Sequence, residues 1–221
     1  MKDYLKRMPL CVAGLALFGF GNVFSVASGA AGTNAWNTLA LGISDKTGLG
    51  FGTATFCVSL VIVLIGLLGK GKLGLGSLLN LTLIPVFSDL WMSLFSFIPT
   101  APNAIIGAFY TLLGQTIISF ATILYMLPGL GCGPRDTLMV LIGRKFPKLP
   151  IGGAKFTLEL AALIAGILLG APFGIGTVLV MVLQASIFQL ACKVTRYEPR
   201  NVQHEDLLDT WKRLTGKKTA K

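Results

Sequence analysis

The chain has 221 residues, of which 53% are hydrophobic and only 13% are charged. A soluble domain carries roughly 25% charged residues, so this composition excludes an ordinary soluble fold and indicates a bundle that crosses a membrane several times. A formal net charge of +10 would suggest nucleic acid in a soluble protein. Here the basic residues lie in short loops and tails between apolar spans, so the charge is read as membrane orientation and no nucleic-acid partner is expected.

Residues 1–7 form a basic start with Lys2, Lys6 and Arg7. The apolar run at 8–32 is longer than the core of a signal peptide and has a counterpart later in the chain, so it is expected to stay as a first span. Residues 34–44 are too short to cross and read as a half-helix or an interfacial helix. A second span is expected at 51–69 and a third at 75–97, the latter holding Pro85 and Asp89. An uncharged turn, Pro99-Thr100-Ala101-Pro102, ends this first unit.

The plan then repeats. Span four is expected at 103–130, a second short helix at 134–144, span five at 151–170 with Lys155 and Glu159, and span six at 174–192 with Gln184. Local matches sit about a hundred residues apart, which marks duplication of a whole unit rather than a short solenoid repeat. Asn37-Thr38-Leu39 matches Asp136-Thr137-Leu138. The segment Phe51 to Phe56 matches Ile151 to Phe156, and Gly74-Leu75-Gly76-Ser77 matches Gly174-Ile175-Gly176-Thr177. The domain plan is therefore a cytoplasmic N-terminus at 1–7, repeat one at 8–98, repeat two at 103–193 and a cytoplasmic tail at 194–221. Within the tail, 205–214 places Leu207, Leu208, Trp211 and Leu214 at helical spacing. That amphipathic helix suits a membrane surface or a protein partner; a plain solvated tail is the other reading.

Lys and Arg placement sets the orientation. With the N-terminus inside, Lys70, Lys72, Arg135, Arg144, Lys145, Lys148 and the tail all fall inside, and Lys46 is the outward exception. Each unit has three spans, so the second lies upside down relative to the first. The expected fold is all-α: six transmembrane helices as two inverted three-helix repeats, each with a short helix after its first span. Transporters built this way keep their site near the midplane, between the repeats.

The Gly-rich turn into Pro134-Arg135-Asp136, the segment Thr47 to Thr53, the Gly-x-Gly-Ser/Thr starts of spans three and six and the basic N-terminus resemble the YczE/YyaS/YitT-type bacterial membrane proteins over about residues 5–195. The resemblance implies a small integral protein of the bacterial plasma membrane and carries no established activity. The first unit has Ala35-Trp36-Asn37 where the second has Pro134-Arg135-Asp136, so the two units are not chemically equivalent.

Ionisable groups at mid-bilayer cost at least about 2.5–3.5 kcal/mol on insertion scales and therefore face protein or water. Glu159, Asp89 and Asp136 are the carboxylate candidates for a solute or ion site. Glu159 also stands at i,i+4 from Lys155 and could simply pair with it. Arg135 and Asp136 could form a local pair. Alternatively, the two short-helix N-termini present N–H groups to an anion, with Asn34, Trp36 and Asn37 on one side and Arg135 on the other. Asn22, Asn80, Gln115 and Gln184 could line a polar route or bond between helices. The four cysteines lack metal or redox spacing and read as small hydrophobes. No nucleotide, metal or Ser-His signature occurs, and no cofactor is expected. The expected function is a small-solute transporter or channel-like protein. The alternatives are a non-transporting accessory or scaffold protein and a substrate-binding membrane subunit of a larger transporter.

Overall fold

In the computed structural model, the described residues are 2–69, 71, 73–146, 148, 151–198, 205–207, 210 and 211. They form eight α-helices: α1 (Lys2–Ala27), α2 (Ala35–Thr47), α3 (Phe51–Leu68), α4 (Leu75–Leu94), α5 (Ala104–Met126), α6 (Pro134–Lys145), α7 (Ile151–Leu168) and α8 (Ile175–Thr195). One 3-10 turn, Gly29–Ala31, follows α1. The basic residues Lys2, Lys6 and Arg7 stand in the first turns of α1.

Among the described residues, five helices are long and apolar enough to cross a membrane: α3, α4, α5, α8 and the Lys6–Ala27 part of α1. Expected span five, 151–170, corresponds to α7, which has the 18-residue length of α3 and carries Lys155 and Glu159.

The first and fourth expected spans both end earlier than their apolar runs. Gly29 (φ 57°) after α1 and Gly129 (φ 66°) after α5 lie in the left-handed region that favours glycine. Each stops the chain from continuing as α-helix, so a glycine loop separates the long helix from the short one behind it.

Packing is reciprocal between the halves. Helix α1 lies against α5 and α4, and α5 lies against α8. The short helix α2 packs on α7, and the short helix α6 packs on α3. Small residues allow these close crossings. A methyl group added at Gly114 of α5 would lie 2.7 Å from the Gly21 carbonyl oxygen of α1. Apart from reciprocity there is one difference: α3 packs along α4, whereas α7 and α8 make no comparable contact among the described residues.

The glycine loops dock on the opposite half. Gly76 N donates to the Leu130 carbonyl at 2.7 Å, and Ser77 Oγ donates to the Cys132 carbonyl. These bonds tie the start of α4 to the loop before α6. In mirror fashion, a methyl at Gly174 would lie 2.6 Å from the Ala30 carbonyl oxygen, so the start of α8 abuts the loop before α2. The paired Gly-x-Gly-Ser/Thr motifs are thus crossing points that side chains would block.

The tail returns to the bundle. Glu205 N donates to the Gly129 carbonyl at 2.9 Å and Leu207 N to the Leu73 carbonyl at 2.8 Å. Arg7 Nη1 donates to Glu205 Oε1 at 2.7 Å, and Arg7 Nε to the Pro128 carbonyl at 2.7 Å. Leu207, Thr210 and Trp211 are helical, with Thr210 buried and Trp211 exposed. The expected Leu208 and Leu214 contributions and the Lys70 and Lys72 loop positions lie outside the described residues.

Candidate functional site

The two short helices meet at their first turns. Gly133 begins α6 in extended backbone, and Pro134 occupies the first helical position, where its missing N–H is not needed and its fixed φ suits a helix. Arg135 follows and lays its guanidinium over the Trp36 ring of α2, 4.8 Å from the centroid. Trp36 in turn packs, as do Leu39 of its own helix and Met181 of α8, against a buried cluster of Ala35 with Ala162 and Leu163 of α7. Arg135 has no hydrogen bond or ion pair to another described residue; in particular the local pair with Asp136 is not formed. Burial lowers the Arg135 guanidinium to about 10, against upward pulls from Tyr125, Asp136 and Glu159. It still carries its charge at neutral pH.

Glu159 lies midway along α7 and is 7% exposed. Gln184 Nε2, midway along α8, donates to Glu159 Oε2. Lys155 Nζ stands 3.9 Å from Glu159 Oε1, with a side chain 52% exposed. That is the outer limit of an ion pair and is worth little at such exposure. Glu159 and Arg135 are within electrostatic reach of each other. One turn of α7 separates Glu159 from Leu163, which touches the Trp36 cluster.

The N-terminus of α2 is occupied by its own sequence. Asn34 caps it, its side chain accepting from the Asn37 N–H at 3.0 Å. Asn37 Nδ2 donates to Asn22 Oδ1 at 2.9 Å, and Asn22 Nδ2 donates to Ser88 Oγ at 2.9 Å. All three are at most 2% exposed. This closed chain fixes α2 to α1 and α4. Asn34 and Asn37 therefore act here as structural bonds behind Trp36, and Asn22 is an interhelical bond.

The equivalent turn of α6 is built differently. A methyl group at Gly133 would lie 3.1 Å from Tyr125 Oη, 3.4 Å from Asp136 Oδ2 and 3.5 Å from Asn80 Nδ2. Three helices thus bring polar atoms to one point beside the first turn of α6. Burial raises the Cys132 thiol, and the Asp136 carboxylate adds to that rise.

Asp89 is not part of this group. It is exposed on α4, and its Oδ1 accepts from the Gly52 N–H at 2.7 Å, satisfying the start of α3. Ser88, its neighbour in sequence, is the buried residue of the pair. Tyr125 and Ser88 were not among the sequence candidates. A tyrosine one turn before a glycine loop was the available signal for the first; only the helix face identifies the second. A largely apolar groove of about 460 Å³, lined by Leu17, Phe120, Ile123, Leu124 and Tyr197 among others, lies at the end of α8, and none of the site residues lines it. Among the described residues no three His, Cys, Asp or Glu side chains are grouped to hold a metal ion.

Comparison with known proteins agrees with a membrane bundle of this kind. Residues 5–193 match a family described as a family of unknown function, DUF6198. An uncharacterized protein of Haemophilus influenzae is 34% identical over 83% of this chain and 82% of its own length. The uncharacterized membrane protein YczE of Bacillus subtilis is 30% identical over 86% of this chain and 87% of its own. No solved structure matches the chain. With the family match covering most of the chain and a named membrane protein aligned nearly end to end, the chain belongs to the YczE-type family of membrane proteins.

Proposed function

We propose that this protein is a small-solute transporter or channel-like protein of the bacterial plasma membrane, and not an enzyme. In this reading α7 is a sixth span, the two halves are inverted repeats, and both termini are cytoplasmic. The reciprocal packing of α2 on α7 and α6 on α3 supports the repeat. The Arg7–Glu205 bond supports placing both termini on one side.

The observation that carries the transport reading is the meeting of Arg135 from one half with Trp36 from the other, beside Glu159. A cation without an acceptor among the described residues stands near a buried carboxylate whose one cation, at 3.9 Å, is the largely exposed Lys155. Charged groups in such positions normally find a partner or serve passage. Inverted repeats keep their sites between the halves, and Arg135 and Trp36 come from opposite halves of the chain. Arg135, Trp36, Glu159 and Gln184 are the site in this reading; Asp136, Asn80 and Tyr125 support the first turn of α6.

The test is solute-dependent thermal stabilisation of the purified protein, using amino acids, organic anions, nucleobases and vitamins. A stabilising solute whose effect is lost in Arg135→Gln supports the reading. Stabilisation that survives both Arg135→Gln and Glu159→Gln moves the site elsewhere. A substrate-binding subunit of a larger transporter would share this site, and is separated by whether the protein alone catalyses uptake into vesicles. The scaffold reading draws on the exposed Trp211 and Leu207 of the tail. It predicts that truncation after Arg196 abolishes the cellular phenotype, whereas a transporter keeps uptake.

A further inference from the structure

The site holds two opposite charges that do not neutralise each other. Arg135 is held flat on the Trp36 ring, which fixes the guanidinium plane while leaving its N–H edge unbonded by any described residue. A planar guanidinium with a free edge is matched by a carboxylate, which accepts two parallel N–H bonds. Glu159 is buried, with Gln184 on one oxygen. Its other oxygen meets the Lys155 ammonium at 3.9 Å, a long pair to a side chain 52% exposed that a bound ammonium can displace. A buried carboxylate paired this loosely is matched by a closer ammonium donor. Arg135 lies on Trp36, and Trp36 packs against the cluster that holds Leu163, one helical turn from Glu159; no ion pair joins Arg135 to Glu159 among the described residues.

A simple anion would satisfy Arg135 but bring a second negative charge towards Glu159. A simple cation would do the reverse against Arg135. One molecule carrying both charges a few ångströms apart satisfies both at once. We propose that the solute is a small zwitterion of the α-amino-acid class, its carboxylate on the open edge of Arg135 and its ammonium on Glu159. This rests on the transport reading above. Trp36 then serves as the shelf that orients Arg135, and Gln184 keeps Glu159 turned toward the seam between α7 and α8.

The test uses the whole protein in lipid nanodiscs. Thermal stabilisation and calorimetric affinity are measured for the twenty amino acids. The best binder is then compared with its deaminated acid and its decarboxylated amine. The intact amino acid is expected to bind at least tenfold more tightly than either analogue. Glu159→Gln should weaken the amino acid tenfold or more while leaving the deaminated acid unchanged. Arg135→Gln should abolish binding of both. Should the variants fail to purify as single species, the analogue comparison on the unaltered protein decides alone. Equal binding of the deaminated acid or of the amine overturns the zwitterion. So does a Glu159→Gln effect of equal size on the amino acid and its deaminated acid. Binding of another solute class that Arg135→Gln abolishes also overturns the zwitterion, but leaves the transport reading standing. Absence of binding by every solute in the wider panel overturns both.

Discussion

The two halves, paired as the proposed duplication pairs them, use the same packing for different chemistry. At the glycine crossings they are alike: Gly74 meets Gly131, and Gly174 meets Ala30 and Ala31. At the polar positions they diverge. Asn37 belongs to a closed, neutral chain with Asn22 and Ser88, whereas its counterpart Asp136 sits with Tyr125 and Asn80 around Gly133. Thr55 and Ser59 of α3 are buried and neutral; their counterparts on α7 are Lys155 and Glu159. Helix α3 rests along α4, while α7 and α8 are joined by Glu159 and Gln184 with little packing between them. At these positions one half is neutral, and the other carries the charges of Asp136, Lys155 and Glu159.

Disturbing the shared crossings should have the largest effect, and equally in both halves. Gly74→Val and Gly174→Val each force a side chain against backbone. Overpacking costs about 1–3 kcal/mol or more, and here no flexible side chain can yield. Both variants should lose the folded, monodisperse species in detergent. If one purifies normally, the crossings are not equivalent.

Next come the positions that differ. Glu159→Gln should reduce uptake at least tenfold, and Ser59→Ala should change it less than twofold. Asn37→Ala should show the opposite profile from Arg135→Gln. It leaves Asn22 Oδ1 without its donor, at a cost of about 1–3 kcal/mol for a buried acceptor, and should lower thermal stability with little effect on solute affinity. Arg135→Gln should remove solute binding with little loss of stability, because the guanidinium makes no hydrogen bond to a described residue. Equal stability losses in the two variants would erase the division between frame and site.

Smaller effects are expected at the tail and at Cys132. Arg7→Ala removes the Glu205 ion pair and two bonds to Pro128, partly exposed and worth about 1 kcal/mol. Hydrogen exchange at 205–207 should quicken while uptake persists. The Cys132 thiol is raised by burial and by Asp136, so it holds little thiolate at neutral pH. Maleimide labelling should be slow at pH 7 and accelerate as pH rises; fast labelling at pH 7 would contradict the burial of this loop.

Much of the helical plan was legible because apolar runs, glycine punctuation and basic loops are local signals. Glu159, Arg135, Trp36 and Gln184 were legible too, since charges, amides and aromatics beside span ends stand out in apolar sequence. Their mutual placement was not, because helical spacing says nothing of which helix a face meets. Asp89 and Ser88 illustrate this. The aspartate drew attention by its charge, but the helix turns it outward to Gly52 and turns the serine inward to Asn22. Tyr125 passed as an apolar residue of its span, and the return of Glu205 to Arg7 depends on a contact between opposite ends of the chain.

The central claim is that the halves run in opposite senses through the bilayer, so that the first turns of α2 and α6 share one seam. It is tested most directly by side-specific labelling of single cysteines in an otherwise cysteine-free protein. Lys46→Cys, at the end of α2, should react with an impermeant reagent from outside intact cells. Lys148→Cys, after α6, should react only once the cytoplasmic side is opened. Labelling of both from the same side would show that the halves are oriented alike and would contradict the account.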